Sequence, residues 1–250
     1  MRSISFRAVL IVAAIGFFAL GLVSTLMRPA GGPPDALPTP ESELPPTPAV
    51  GAPQITVLIL GVDSLQAEDP NLVAVWLASF RPPGKEVFLF GFPLDHPLRR
   101  GGTLSETFSW SGEPSSEFLA SLNSVAPLPL DAVVALDSEG FATLIDFLGG
   151  VPTGEATVGG AAALNILDLL RGDPAASLLA QARLLEALAT QVRVVQPGTD
   201  LQPLMALVPG HAYLSVSVDA GLTLIAPYLP LEPGRIHLSL PAAQAGEPAG

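Results

Sequence analysis

Two aspartates, each at the end of a short apolar run, are the residues of this chain whose type and position best suit chemistry. Asp63 follows ITVLILGV and precedes Ser64, and Asp95 follows VFLFGFPL. Carboxylates delivered at strand ends can hold a hard cation such as Mg²⁺ through oxygen and water. A few residues past Asp95 lies Arg99–Arg100, the only adjacent basic pair in the sequence, which could face a phosphate. The plainer reading of the same residues is two turn or capping aspartates and a solvated pair of arginines. Other chemistries lack their parts. Ser64 has no identifiable base and no G-x-S-x-G elbow around it. His96, His211 and His237 have no zinc-ligand spacing. With no cysteine there is no thiolate nucleophile, no disulfide framework and no cysteine metal site. Asp137 and Asp146 read as helix caps or helix-surface residues.

The elements that would position Asp63 and Asp95 follow from the apolar pattern. Ile55 to Leu60 is nearly continuous in apolar, mostly branched side chains, the pattern of a central strand covered on both faces. Ligands of open α/β sheets collect beyond the carboxyl ends of such strands, where Gly61, Val62, Asp63 and Ser64 stand. Two further apolar runs, Leu72–Phe80 and Val87–Phe92, flank Pro82, Pro83 and Gly84 and predict a β-hairpin. A helix is expected over Pro114–Val125, with Pro114 at its first position and Phe118, Leu119, Leu122 and Val125 on one face. Ala132–Leu136 predicts a strand, and Asp137 or Ser138 caps a helix carrying Phe141, Leu144, Ile145 and Leu148 that Gly149 and Gly150 end. Beyond it come a glycine-rich loop over 151–160, helices over 161–170 and 175–192, and a short helix at 201–207. A strand at 214–218, a helix at 220–228 and a last strand at 235–240 complete the pattern. The fold class is α/β: a mixed central sheet sandwiched between helices, spanning residues 55–240, with a polar, frayed tail over 241–250.

The N-terminal part is different in kind. Ala8 to Met27 is apolar apart from Ser24 and Thr25, and at about 1.5 Å per residue it is long enough to cross a hydrocarbon core. Arg2 and Arg7 precede it and Arg28 follows, so the positive-inside bias leaves residues 1–7 in the cytoplasm and the remainder outside, a single-pass cell-membrane protein. A cleaved signal peptide is the alternative, although the segment is long and lacks a small-x-small site. Residues 28–54 hold nine prolines and read as an extended stalk. The formal charge of −12 argues against nucleic acid or an anionic membrane surface as the partner, since both require clustered Lys and Arg.

An apolar anchor, a stalk, LILGVDS, a hairpin, FGFPLD and a strand leading into SEGFATLIDFLGGV together resemble the LytR-CpsA-Psr family of cell-envelope proteins. The most specific part is Gly140, Phe141, Leu144, Ile145, Asp146, Gly149, Gly150 and Val151. The resemblance implies an α/β/α domain outside the membrane with a long apolar pocket for a polyprenyl chain. It implies transfer of a glycopolymer from a polyprenyl-diphosphate carrier to the cell wall, with Mg²⁺ and arginines around the diphosphate. On this pattern Asp63 and Asp95 are the catalytic and metal-binding carboxylates, and Arg99 and Arg100 are the candidates for holding the diphosphate. Much of the pattern's charge is missing. The family's next arginine falls at Leu65, its second metal-binding aspartate at Val73, and the arginine before the last aspartate at Leu94. Only Arg171 and Arg183 lie near the arginines expected on the later helices. Two versions follow: a phosphotransferase that is weak or atypical, and a non-catalytic module that binds a polyprenyl lipid or serves as a scaffold.

Overall fold

The computed structural model describes residues 54–81, 86–153, 156–191, 206–207, 210–217, 220–221, 224 and 233–240. The expected anchor, all but the last residue of the stalk, the Pro-Pro-Gly turn, most of the helices expected at 201–207 and 220–228, and the tail lie outside the described residues. Among the described residues no helix is long and apolar enough to cross a membrane.

Strand β1 (Ile55–Val62) lies inside a six-stranded mixed sheet. It pairs antiparallel with β2 (Leu72–Arg81), and β2 pairs antiparallel with β3 (Glu86–Phe92), so the expected hairpin is present. On its other side β1 runs parallel to β4 (Ala132–Asp137). The outer strands are β7 (Ala212–Leu214), antiparallel to β4, and β8 (Ile236–Ser239), parallel to β3. A parallel neighbour requires a crossover, and residues 63–131 supply it by way of the hairpin and a first helix.

That helix, α1 (Ser116–Val125), covers one face of the sheet. Ser115 caps it, accepting from the Phe118 N–H at 3.3 Å, so Pro114 lies just before the cap instead of inside the first turn. Phe118 and Leu122 pack there with Leu58, Leu60, Val75, Leu77, Val133 and Ala135. The opposite face carries α2 (Ser138–Phe147), α3 (Gly160–Leu169) and α4 (Pro174–Gln191). Two helix layers enclosing a mixed sheet is the architecture the sequence implies.

Local chemistry explains the α2–α3 junction. Asp137 ends β4 and caps α2, accepting from the Gly140 N–H at 2.8 Å. A Cβ at Gly140 would lie 2.5 Å from the His211 carbonyl oxygen, so only glycine lets that segment approach. Gly149 and Gly150 have φ of 83° and 93°, the left-handed geometry that ends a helix. The expected loop over 151–160 contains a small hairpin instead, β5 (Val151–Thr153) against β6 (Ala156–Val158). Asp146 then caps the next helix: its carboxylate accepts from the Gly160 N–H at 2.6 Å, tying α3 to α2.

Candidate functional site

Burial along the two innermost strands locates the site. On the α1 side, Leu58, Leu60, Val133 and Ala135 are all buried, as tight packing requires. On the opposite face Ile59, Val134 and Leu136 remain only half-buried, although they lie in central strands beneath a helix layer. What exposes them is a cavity of about 590 Å³ between the sheet and helices α3 and α4. Its walls are Val57 and Ile59 of β1, Trp76 of β2, Val134 and Leu136 of β4, Leu164 and Leu167 of α3, and Leu178, Leu185 and Leu188 of α4. Such a volume lies within the range of small-molecule pockets, and its lining suits an apolar guest.

Few polar groups reach it. Gln181 bridges the walls: its Nε2 donates to the Val73 carbonyl at 3.0 Å, and its Oε1 accepts from Trp76 Nε1 at 3.0 Å. This pairing lets Trp76 offer an apolar face to the cavity without a stranded N–H. Gly91 leaves room for it, since a Cβ there would come within 2.8 Å of the indole ring. The exposed lining residues Asn71, Asp168 and Arg171 mark the mouth. Arg171 is the only Lys or Arg among the lining residues, and it is held by Asp168 at 2.9 Å.

Asp63 stands beside this mouth. Its Oδ1 accepts from the N–H groups of Ser64 and Asn71, both at 2.8 Å, and its Oδ2 accepts from Asn71 Nδ2 at 2.6 Å. Partial burial pushes the carboxyl pKa up, but the Asn71 amide, the two backbone N–H groups and the charge of Arg171 outweigh it, leaving the value below the ordinary one. The carboxylate therefore pins the loop from Asp63 to Asn71 and spends three of its roughly four acceptor positions doing so.

The other expected site residues are not gathered with it. Asp95 is an exposed residue of the turn after β3, and Arg99 and Arg100 are exposed in the loop beyond; none of the three lines the cavity, to which this region contributes Pro93 and Leu94. Among the described residues no group of three or more His, Cys, Asp or Glu side chains could hold a metal ion. Asp63 is committed to its own loop, Asp95 lies in solvent and Val73 is apolar, so among the described residues no carboxylate cluster marks a Mg²⁺ site. Among the described lining residues the cation is Arg171.

A second polar pair lies close by. Buried Asp137 receives His211 Nδ1 at 2.9 Å in addition to the α2 cap, and His211 Nε2 is 3.7 Å from Glu139. Asp137 and Ser138 both line the cavity. The cap was legible in the sequence; the histidine, 74 positions away, was not.

No protein-family model matches the chain, and no curated protein matches it in sequence. Solved structures do. The Bacillus subtilis protein TagV superposes with a TM-score of 0.55 at 15% identity, over 75% of this chain and 84% of that one. TagT bound to LIIa-WTA gives 0.56 at 17%, over 79% and 82%. The Bacillus subtilis transcriptional regulator yvhJ gives 0.56 at 16%, over 75% and 81%. These neighbours are LytR-CpsA-Psr proteins, and at such identities the likeness is one of fold.

Proposed function

We propose that this chain is a LytR-CpsA-Psr-like protein of the cell envelope that binds the polyprenyl chain of a lipid-linked glycopolymer in the cavity between its sheet and helices α3 and α4, with phosphotransfer chemistry weak or lost. The observation that carries this reading is the cavity itself, apolar on all sides and opening beside Asp63 and Arg171. A polyprenyl chain needs only apolar surface, and each buried methylene contributes about 0.8 kcal/mol. The fold is that of TagT, which has been solved bound to LIIa-WTA and to LI-WTA, and this supports a lipid-linked glycan as the ligand class.

Loss of chemistry is argued from the mouth. Phosphoryl transfer is mostly positioning and electrostatic stabilisation, and one missing cationic clamp can cost several orders of magnitude. Here Leu65, Val73 and Leu94 stand where the resemblance places two arginines and an aspartate, and Arg171, the one cation among the described lining residues, is paired with Asp168. Arg171 suffices to attract a phosphate at the entrance, while the walls retain the chain. In this reading residues 8–27 anchor the protein and the domain works outside the membrane.

The test is binding of a labelled polyprenyl phosphate to the full chain in detergent, with and without EDTA, alongside a transfer assay from a polyprenyl-diphosphate sugar. Saturable binding that EDTA leaves unchanged, with transfer absent or slow, supports the reading. Failure to bind would refute it, and rapid Mg²⁺-dependent transfer abolished in Asp63→Ala would restore the enzyme.

A further inference from the structure

Among the described residues, each source of positive potential at the cavity's mouth is already engaged by one of the chain's own carboxylates. Arg171 gives its Nε and Nη2 to Asp168 Oδ1, both at 2.9 Å. Two helix N-termini also reach the lining, and such ends ordinarily offer N–H groups and a partial positive charge to an anion. Helix α2 arrives there with Ser138, but Asp137 Oδ1 takes its Gly140 N–H at 2.8 Å. Helix α4 arrives with Pro174 and Ser177, but Pro174 has no N–H and Asp173 Oδ1 takes the Ala176 N–H at 3.0 Å. The N–H and side-chain amide of Asn71 go to Asp63, and His211 is engaged by Asp137.

These pairings differ in how readily they exchange. Asp137 is buried and also receives the Leu65 N–H at 3.4 Å, and Asp63 fixes its loop through three bonds, so breaking either strands buried or loop-ordering groups. Arg171 and Asp168 are both half-exposed and three residues apart, and a surface ion pair of this kind is worth little. An arriving phosphate can therefore take the guanidinium from Asp168, and the planar fork of donors grips one phosphate well. A second phosphate finds no such exchange. It meets Asp63, close enough to Arg171 for their charges to interact, the released Asp168, and Asp173 two residues beyond Arg171.

We infer that the mouth accepts one phosphate and discriminates against two: its ligand is a polyprenyl chain bearing a single phosphate, bare or esterified to a sugar, and not a polyprenyl diphosphate, with Arg171 the binding group and Asp168 and Asp173 the residues that set the preference. One cation then meets one phosphate, and the carboxylates around it act as a filter through like-charge repulsion. The inference rests on the reading of the cavity as a polyprenyl site and narrows the ligand class of that site.

The full chain in neutral detergent at low ionic strength is titrated with four lipids of one chain length: polyprenol, polyprenyl phosphate, polyprenyl phosphoryl-glucose and polyprenyl diphosphoryl-glucose. Both single-phosphate lipids should bind several-fold tighter than polyprenol and than the diphosphate lipid. Arg171→Gln should bring the single-phosphate lipids down to the level of polyprenol and leave polyprenol itself unchanged. Asp168→Asn combined with Asp173→Asn removes two charges and keeps the α4 cap, since Asn caps a helix as well as Asp does. This double variant should bind the diphosphate lipid several-fold tighter than the wild type and narrow the preference. Which of the two single-phosphate lipids binds tighter tells a bare carrier from a glycosylated one. A diphosphate lipid that binds the wild type as tightly as the single-phosphate lipids overturns the inference and leaves the cavity reading standing. A preference that Arg171→Gln or the double variant does not alter overturns it equally. If polyprenol and all three phosphorylated lipids fail to bind, the cavity is no polyprenyl site and both readings fall.

Discussion

Val134→Phe should obstruct the cavity without unfolding the protein. Val134 lies in β4, next to the central strand, and is half-buried only because its side chain faces the cavity. Enlarging a packed core residue ordinarily costs about 1–3 kcal/mol. Here about 590 Å³ of space lies in front of the side chain, so the added ring replaces empty volume and the melting temperature should change little. The ligand loses that room. If the ring displaces one isoprene unit of about five carbons, at about 0.8 kcal/mol each, binding weakens by about 4 kcal/mol, nearly a thousandfold. Titration of the purified variant with labelled polyprenyl phosphate measures this, with thermal unfolding of the free protein as the control. A variant as stable as the wild type that binds with unchanged affinity would show that the chain lies elsewhere, and the reasoning from burial to ligand would be wrong.

Three further outcomes follow from the same contacts. Asp137→Ala removes the α2 cap, worth about 1 kcal/mol, and leaves His211 without its buried partner, at about 1–3 kcal/mol. The melting temperature should therefore fall by about 5–15 °C, and His211→Ala should cost less because the cap survives. The hydroxyls of Thr56 and Ser79, buried opposite each other on β1 and β2, have no hydrogen-bond partner, so Thr56→Val with Ser79→Ala should raise stability by about 1 kcal/mol in urea unfolding. Asp63 has a depressed pKa in the folded state, so its contribution is present above the unfolded value of about 3.9 and is lost as pH falls through the folded value. Acid unfolding curves should flatten over that window in Asp63→Asn, and an unaltered slope would show that the loop bonds are not made in solution.

Much of the fold was legible because its signals are local. Prolines and a glycine between two apolar runs gave the β2–β3 hairpin, and Asp137, Gly149 and Gly150 bounded α2. The β5–β6 hairpin was missed because strands of three residues are too short to display a period. The site was less accessible. Both faces of β1 and β4 are apolar, so periodicity could not tell the packed side from the side facing a cavity, and only the residual exposure of Ile59, Val134 and Leu136 distinguishes them. Arg99 and Arg100 attracted notice by adjacency, whereas Arg171 acquires its place at the mouth solely from tertiary structure, more than a hundred positions from Asp63.

On the proposed reading the cavity and the mouth obey different constraints, and one can persist without the other. A void of about 590 Å³ lined by Val, Ile, Leu and Trp is no packing defect, since protein interiors hold few voids larger than a water molecule. Its walls are also the core. Val57, Trp76 and Leu178 belong at once to the lining and to the cluster that binds α4 to the sheet, so selection for folding preserves much of the slot. The exposed residues of the mouth, Asn71, Asp168 and Arg171, belong to none of the core clusters. Leu65 and Leu94 are half-buried against the core on the α1 side and Val73 lines the cavity, so on the proposed reading apolar side chains at these positions keep the packing and lack only the electrostatics. On the proposed reading, apolar binding is therefore the property this architecture retains most easily, and phosphotransfer the one it loses first.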